Sequence, residues 1–475
     1  MRFSSRVDIS EPNPIAQAEA RARELGVALG RLNDSNPTRH GLAPAQVPGV
    51  YAADPRGPRA AREALAAFLT ARGRGRCVPS ADESHAAPAG EGAIASDTAV
   101  ASTTAASEAV ASDIVVSEAA ASGAAAPEAV MYEAATSGAA ASDIAVSEAA
   151  PAAAGSRPTP KPVDPADLYL LSSTSQAYSW LMKLLCDPGD AVLAPKPGYP
   201  LIESIARLEC VDTIEYRLRY DGSWYIDTAE LRELLDGPDG GRIRALVLIN
   251  PNNPSGSYVK PSERERIVAM CRDHGVALIA DEVFYDYALE PFDGNARLAG
   301  EPGVLTFALD GFSKMLAAPH AKVGWIQVSG PDGDVAEAMR RLDVIADDYL
   351  PMGDIIADRI PELLEAAPAQ TARVRDRVRG NLALLRRILD ADPAGLVTVL
   401  RAEGGWNVLL RVPSVVDENA LTLRLIDAYR FTGQPGYFFD MPTSGYLAVS
   451  LLPEPEEFER GVRAVLAAVD DMLEA

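Results

Sequence analysis

Lys314 stands in Gly311-Phe312-Ser313-Lys314, and Lys322 follows in Lys322-Val323-Gly324-Trp325. Upstream lie Asn250-Pro251-Asn252-Asn253-Pro254-Ser255-Gly256 and Asp281-Glu282-Val283. A lysine amine can condense with an aldehyde, and a carboxylate can hold a protonated ring nitrogen. Pyridoxal 5'-phosphate makes both demands, an amine for its Schiff base and a carboxylate for its ring nitrogen. Each residue alone has an ordinary alternative: a solvated lysine, a helix-capping Asp, a turn-shaping Asn. Their order along one chain is what points to the cofactor.

Such residues need elements to carry them. Residues 245–249 (ALVLI) and 276–280 (VALIA) are continuous apolar runs of the parallel-strand type, with a helix expected over 262–274 between them. Asn253 and Asp281 then follow strands, at the edge of the sheet where open α/β folds bind ligands. Residues 167–171, 191–194, 306–309 and 323–328 read as further strands. Residues 58–72 have helical spacing, and 176–185 carry Ala177, Trp180, Leu181, Leu184 and Leu185 as a helical stripe. Ser173-Thr174-Ser175 stands directly before that stripe, and hydroxyls with free N–H groups at a helix N-terminus form an anion site. The alternation predicts an α/β domain with a mostly parallel central sheet flanked by helices. From about residue 332 the pattern changes. A long helical stretch, strands at 397–400, 408–412 and 446–451, and helices near 420–429 and 455–473 predict a smaller α+β domain.

Composition narrows the partners. The 475-residue chain is 48% hydrophobic, 23% charged and carries a net charge of −23, which argues against nucleic acid and anionic membranes. Four separated cysteines (Cys77, Cys186, Cys210, Cys271) form no C-x-x-C pair, so no zinc site, redox dithiol or other metal site is expected. The polar N-terminus lacks a signal-peptide core and no apolar run approaches a membrane span, so a cytoplasmic protein is expected. Residues 79–162 are Ala-, Ser- and acid-rich. Between Ser80 and Ser156 there are eleven Asp or Glu and no Lys or Arg, and ASDIVVSEAA at 111–120 returns as ASDIAVSEAA at 141–150. With almost nothing to bury, this stretch reads as a disordered, low-complexity insertion in an otherwise folded domain.

Taken together, several motifs resemble the class I/II aminotransferases, the fold-type I pyridoxal-phosphate enzymes. They are Ser35-Asn36-Pro37-Thr38, Tyr51 with Gly57, Asp187-Pro188-Gly189-Asp190, Pro197-Gly198-Tyr199-Pro200, Asn253-Pro254-Ser255-Gly256, Asp281-Glu282-Val283 and Ser313-Lys314. The resemblance spans roughly residues 25–78 and 163–475. It implies an N-terminal arm over 1–45, a large cofactor-binding domain over 46–331 interrupted at 79–162, and a small C-terminal domain over 332–475. Lys314 is then the Schiff-base lysine and proton carrier, and Asp281 the partner of the ring nitrogen. Asn253 becomes a donor to the cofactor O3', and Tyr199 a ring stacked on the cofactor. Ser173, Thr174, Ser175 and Lys322 would hold the phosphate, joined by Tyr51 of the partner subunit in a homodimer. Lys322 takes a place where the family usually has arginine, which keeps the charge and loses the planar fork.

Two further departures concern the pocket. Phe284 occupies the usual place of a tyrosine, with Tyr285 beside it. Ala448, in Gly445-Tyr446-Leu447-Ala448-Val449-Ser450, occupies the place of the arginine that clamps a substrate carboxylate. Arg39, His40 and Trp406 are the candidates left for substrate binding. The activity implied is aminotransfer between an amino acid or other amine and an oxo acid, through a pyridoxamine form. Lyases and synthases built from the same parts remain an alternative, because the cofactor carries the hard chemistry. So does a non-catalytic relative, suggested by Phe284, Lys322 and Ala448 and opposed by Lys314, Asp281 and Asn253. An effector domain of a transcription regulator would need a basic DNA-binding domain ahead of it. Here the resemblance begins within the first forty residues.

Overall fold

The apolar runs become neighbouring strands of one sheet. The computed structural model describes residues 13–32, 54–72, 162–290, 295–350 and 352–474. Its main sheet contains β1 (Leu168–Leu171), β2 (Ala191–Lys196), β3 (Asp212–Tyr220), β4 (Trp224–Ile226), β5 (Ile243–Ile249), β6 (Ala277–Asp281), β7 (Thr306–Gly311) and β8 (Gly324–Ser329). The spatial order is β1-β8-β7-β6-β5-β2-β3-β4. The β7-β6-β5-β2-β3 block is parallel, β8 runs antiparallel between β1 and β7, and β4 folds back on β3. Residues of β6 are buried throughout, which is why Ala277–Ala280 are apolar without alternation up to the terminal Asp281.

Helices cover both faces. α1 (Pro14–Glu24) lies in the N-terminal segment, and α2 (Arg59–Ala71) packs Leu65 and Ala66 into a cluster with Leu170, Phe312 and Trp325. α3 (Thr174–Leu185) starts at Ser173, whose Oγ accepts the Gln176 N–H at 3.2 Å. That N-cap satisfies one of the orphan donors of the first turn. Of the predicted stripe, Ala177, Trp180 and Leu181 are fully buried, whereas Leu184 and Leu185 are partly buried at the edge of the same cluster. α4 (Pro261–His274) joins β5 to β6.

The later helical stretch is interrupted. It divides into α5 (Asp332–Tyr349), a short turn at Asp354–Ala357 and α6 (Ile360–Ala391). Ala338, Leu342 and Ala346 of α5 belong to the same cluster as Tyr169 and Trp180 of the main sheet layer. A division at residue 332 therefore falls at the head of a helix that packs with the large sheet. The change of core lies inside α6. Ile360, Leu363 and Ala367 join the Phe312–Trp325 cluster, whereas Val374, Val378, Leu382 and Leu385 join the C-terminal one. Pro368, which cannot donate a helical hydrogen bond, sits at the changeover.

The C-terminal core carries a second, antiparallel sheet of β9 (Thr398–Val399), β10 (Asn407–Arg411), β11 (Gln434–Pro435) and β12 (Tyr446–Ser450), ordered β9-β10-β12-β11. α7 (Pro455–Glu474) packs along α6. The helix expected near 420–429 is an α-helix, Glu418–Arg424, that widens into a π-helical turn over Leu425–Tyr429. The N-terminal segment docks on this same half. Gly30–Arg31 pairs in parallel with Phe431–Thr432, and Leu32 is buried in the C-terminal core.

Where the insertion was expected, 79–162, all but Pro162 lies outside the described residues. Its flanks meet: the Val163 N–H donates to Thr70 Oγ1 at 2.9 Å. No helix among the described residues is long and apolar enough to cross a membrane.

Candidate active site

Three adjacent parallel strands, β5, β6 and β7, deliver their next residues to the same edge of the sheet. Beyond β5 comes the turn holding Asn253, β6 ends in Asp281, and β7 leads into Phe312–Met315 with Lys314. Asp281 is level with Ile249 on one side and Leu309 on the other. The register levels the ends of the three strands, so the residues that follow them reach one edge of the sheet.

Lys314 is half-buried. Its Nζ lies 5.2 Å from the Phe284 ring centroid and 5.0 Å from that of Trp406. No carboxylate reaches it at ion-pair distance among the described residues. Burial pushes its amine down to about 8, an effect that the charge of Asp281 partly opposes. The backbone is pinned on both sides of the turn that follows. The Met315 carbonyl accepts the Thr371 hydroxyl of α6 at 3.0 Å, and the Phe312 N–H donates to the Val323 carbonyl at 2.8 Å.

Asp281 is buried, and its Oδ2 accepts the Tyr178 hydroxyl of α3 at 3.0 Å. Oδ1 accepts the Val283 N–H at 3.3 Å. Burial raises this carboxyl to about 6; the two hydrogen bonds and the Lys314 ammonium hold it down from further. A cation brought against it would restore the ionised form. Glu282 turns away into a buried cluster. It accepts the Leu298 N–H at 2.7 Å and the Asn250 amide at 3.1 Å, with Arg297 Nη1 at 3.7 Å. Arg297 also reaches Asp310 at 3.0 Å and Asp286 at 3.2 Å, and so ties the end of β6 to the end of β7.

The Asn-Pro turn is shaped by its own amides. Asn252 Oδ1 accepts the Ser255 N–H and hydroxyl at 3.2 and 2.7 Å, and Asn250 Oδ1 accepts the Val259 N–H at 3.0 Å. Asn253 is spared that work; its Oδ1 accepts Asn407 Nδ2 of β10 at 2.8 Å. Gly256 has φ +70°, and a Cβ there would meet Ala402 Cβ at 2.6 Å and the Gly404 carbonyl at 2.7 Å. Only glycine allows this turn and the segment before β10 to touch.

At the other end of the site, the head of α3 abuts the start of β8. A Cβ on Gly324 would lie 3.2 Å from Ser173 C and 3.3 Å from Thr174 N, so the two backbones approach closely. Ser173, Thr174 and Ser175 are half-buried there. Lys322 is exposed, two residues before Gly324, at φ 51°, and has no ion-pair partner among the described residues. A helix N-terminus with hydroxyls and a nearby unpaired lysine matches a dianionic phosphate.

Tyr199 is 36% exposed, on a turn held by the Gly198 N–H to the Phe439 carbonyl at 3.0 Å. Trp406 is buried edge-on against Phe284 (5.3 Å) and Tyr287 (5.0 Å), and its indole N–H has no hydrogen-bond partner among the described residues. Tyr285 faces away from Lys314: the Arg297 guanidinium sits 4.3 Å over its ring. Ala448 is buried in β12 opposite Leu409 and Gln434, in an apolar cluster with Leu400 and Phe439. Tyr51, Arg39 and His40 lie outside the described residues.

Sequence reasoning missed Tyr178 and Asn407. A tyrosine beside a helical apolar stripe reads as core, and only the packing of α3 against β7 and β8 shows that its hydroxyl meets Asp281. Asn407 carried a faint signal, a polar residue at the head of the apolar run NVLLR.

The family model for aminotransferase classes I and II matches residues 147–465. The glutamate-pyruvate aminotransferase of Haemophilus influenzae is 29% identical over 183 residues, 38% of this chain and 44% of that protein. The S-alkyl-thiohydroximate lyase of Arabidopsis thaliana is 29% identical over 221 residues, 45% of this chain and 46% of that one. The chain thus spans less than half the length of these curated relatives. An alanine aminotransferase from Pyrococcus furiosus superposes with a TM-score of 0.70 at 17% identity, covering 99% of this chain and all of its own (100%). At that identity the likeness speaks for the fold.

Proposed function

The chain belongs to the class I and II aminotransferases, and on that premise we propose that it is a pyridoxal-phosphate-dependent aminotransferase acting between an amine donor and an oxo acid. The observation that carries this reading is the placement of Asn253, Asp281 and a half-buried Lys314, without an ion pair among the described residues, at the ends of three adjacent strands. When bound, pyridoxal phosphate supplies an aldehyde carbon and an electron-accepting ring; the rest of the work belongs to the chain.

In this reading Lys314 holds the aldehyde carbon and, once its amine is released, carries the proton that leaves the substrate α-carbon. Its depressed basicity suits both tasks, since the neutral amine is the nucleophile and the base. Asp281 keeps the ring nitrogen protonated, and the Tyr178 hydroxyl fixes its carboxylate. Asn253 donates to the phenolic oxygen, and Tyr199 covers one ring face and excludes water. The head of α3 with Ser173, Thr174 and Ser175 takes the phosphate, helped by Lys322. In the homodimer that this reading carries with it, Tyr51 of the partner subunit completes that site. Trp406 brings a buried, unpartnered N–H to the substrate side, and Arg39 and His40 are the candidates for a carboxylate.

The test is a half-reaction. Protein loaded with pyridoxal phosphate is mixed with single amino donors, and the pyridoxamine form is followed by its absorbance. Conversion supports aminotransfer. Release of ammonia or a cleaved product without the pyridoxamine form would establish a lyase instead, a reading that the similarity to the Arabidopsis lyase keeps in play.

A pH dependence follows from the lysine. With its amine at about 8 rather than the ordinary 10.5, the neutral form dominates above pH 8. The rate at which cofactor-free protein condenses with pyridoxal is expected to rise through a midpoint near pH 8. A midpoint near 10.5 would show that Lys314 is fully solvated.

A further inference from the structure

Asn253 has a neighbour in β10 that the backbone holds in place. The segment leading into β10 is fastened to the Asn-Pro turn along its length. The Gly256 carbonyl accepts the Glu403 and Gly404 N–H groups at 3.0 and 2.9 Å, and Glu403 Oε2 accepts the Tyr258 N–H at 3.0 Å and Lys260 Nζ at 2.6 Å. The Gly405 N–H donates to the Tyr287 carbonyl at 2.9 Å, and the Leu451 N–H to the Trp406 carbonyl at 2.7 Å. The contact at Gly256 leaves no slack, because the two backbones touch where a Cβ would stand. Asn407 is thus held against Asn253, with Nδ2 2.8 Å from Asn253 Oδ1.

With its oxygen turned to Asn407, the Asn253 amide directs its N–H groups to the opposite side. We propose that Asn407 is a positioning residue that orients the Asn253 amide, so that Asn253 presents a donor and never an acceptor to the phenolic oxygen of the cofactor. The inference rests on the cofactor reading above and adds the residue that sets its polarity. A donor at that oxygen draws off negative charge and weakens the oxygen's hold on the proton of the adjacent Lys314–cofactor linkage. Asn407 therefore sets the pH at which that linkage loses its proton, without touching the cofactor.

The experiment titrates the visible band of the holoenzyme with pH in a double-mutant cycle. Asn407→Asp keeps the shape but can only accept, so it pulls Nδ2 of Asn253 towards itself and turns Oδ1 to the pocket. The midpoint is expected to rise by about one pH unit in the chain that retains Asn253, and by much less in the Asn253→Ala background. Equal shifts in both backgrounds would mean that the new charge acts by itself, which overturns the proposal; so would no shift in either. Asn253→Ala alone separates the levels. If it raises the midpoint while Asn407→Asp does not, the cofactor reading of Asn253 stands and the role of Asn407 falls. If it moves nothing, both fall. Should Asn407→Asp fold poorly, Asn407→Ser, too short to hold the amide, is expected to raise the midpoint by a smaller amount.

Discussion

Lys314→Met is expected to abolish the visible band of the covalently held cofactor and to lower aminotransfer by at least about a thousandfold, the size expected when a nucleophile and general base are lost together. The same change is expected to stabilise the cofactor-free protein. A lysine whose amine falls from 10.5 to about 8 binds its proton less tightly in the folded chain than in the unfolded one. That difference destabilises the fold by on the order of 3 kcal/mol at neutral pH, and methionine removes the charge while keeping the volume. The sign can be checked. For a lysine with a depressed folded value, the cost is full below about pH 8 and disappears as the pH rises towards 10.5. Urea denaturation of cofactor-free protein should therefore show the variant ahead of wild type at pH 7 and level with it above about pH 10. A variant that keeps both the band and the activity would remove Lys314 from the site. A variant that is less stable at pH 7 would show that its amine is not buried at a cost.

Asp281→Asn is the second large effect. Its amide can keep Oδ1 towards the Tyr178 hydroxyl and then turns an N–H towards the place of the ring nitrogen. A neutral donor there leaves that nitrogen unprotonated, and the ring loses much of its capacity to accept electrons. Loss of a buried counter-charge is worth about two to three pKa units, so a drop of a hundredfold or more in rate is expected. The charge of Asp281 also supports the Lys314 ammonium, so the condensation midpoint near pH 8 should move lower in this variant. Tyr178→Phe is the graded companion. It removes a hydrogen bond that favours the ionised carboxylate, so Asp281 rises further above about 6 and the acid limb of the rate profile shifts upward, with roughly a tenfold or smaller loss at neutral pH. Full activity in Asp281→Asn would assign the ring nitrogen to another group.

Much of the fold is local and was legible. A strand buried on both faces must be continuously apolar, so β5 and β6 announce themselves, and an amphipathic helix must repeat its apolar residues, so α3 does too. The division of the chain was less visible. α5 has a helical stripe that fits either core, and nothing local tells which surface it meets; the packing of Ala338 and Leu342 with Trp180 decides it. Ala448 was readable as a departure, yet its apolar surroundings come from Leu400, Leu409 and Phe439, which only the pairing of β10 and β12 gathers.

What the sequence by itself determined is the inventory of the chemistry: an amine, a carboxylate, an Asn-Pro turn and a hydroxyl-rich helix start, each fixed in type and in its place after a strand or before a helix. What only the tertiary structure decided is how those groups are set. The depression of Lys314, the raised Asp281 held by Tyr178, and the orientation of Asn253 by Asn407 all join residues more than a hundred positions apart or depend on burial. Burial and long-range hydrogen bonds are properties of neighbours, and a chain acquires those neighbours only when its strands and helices have packed.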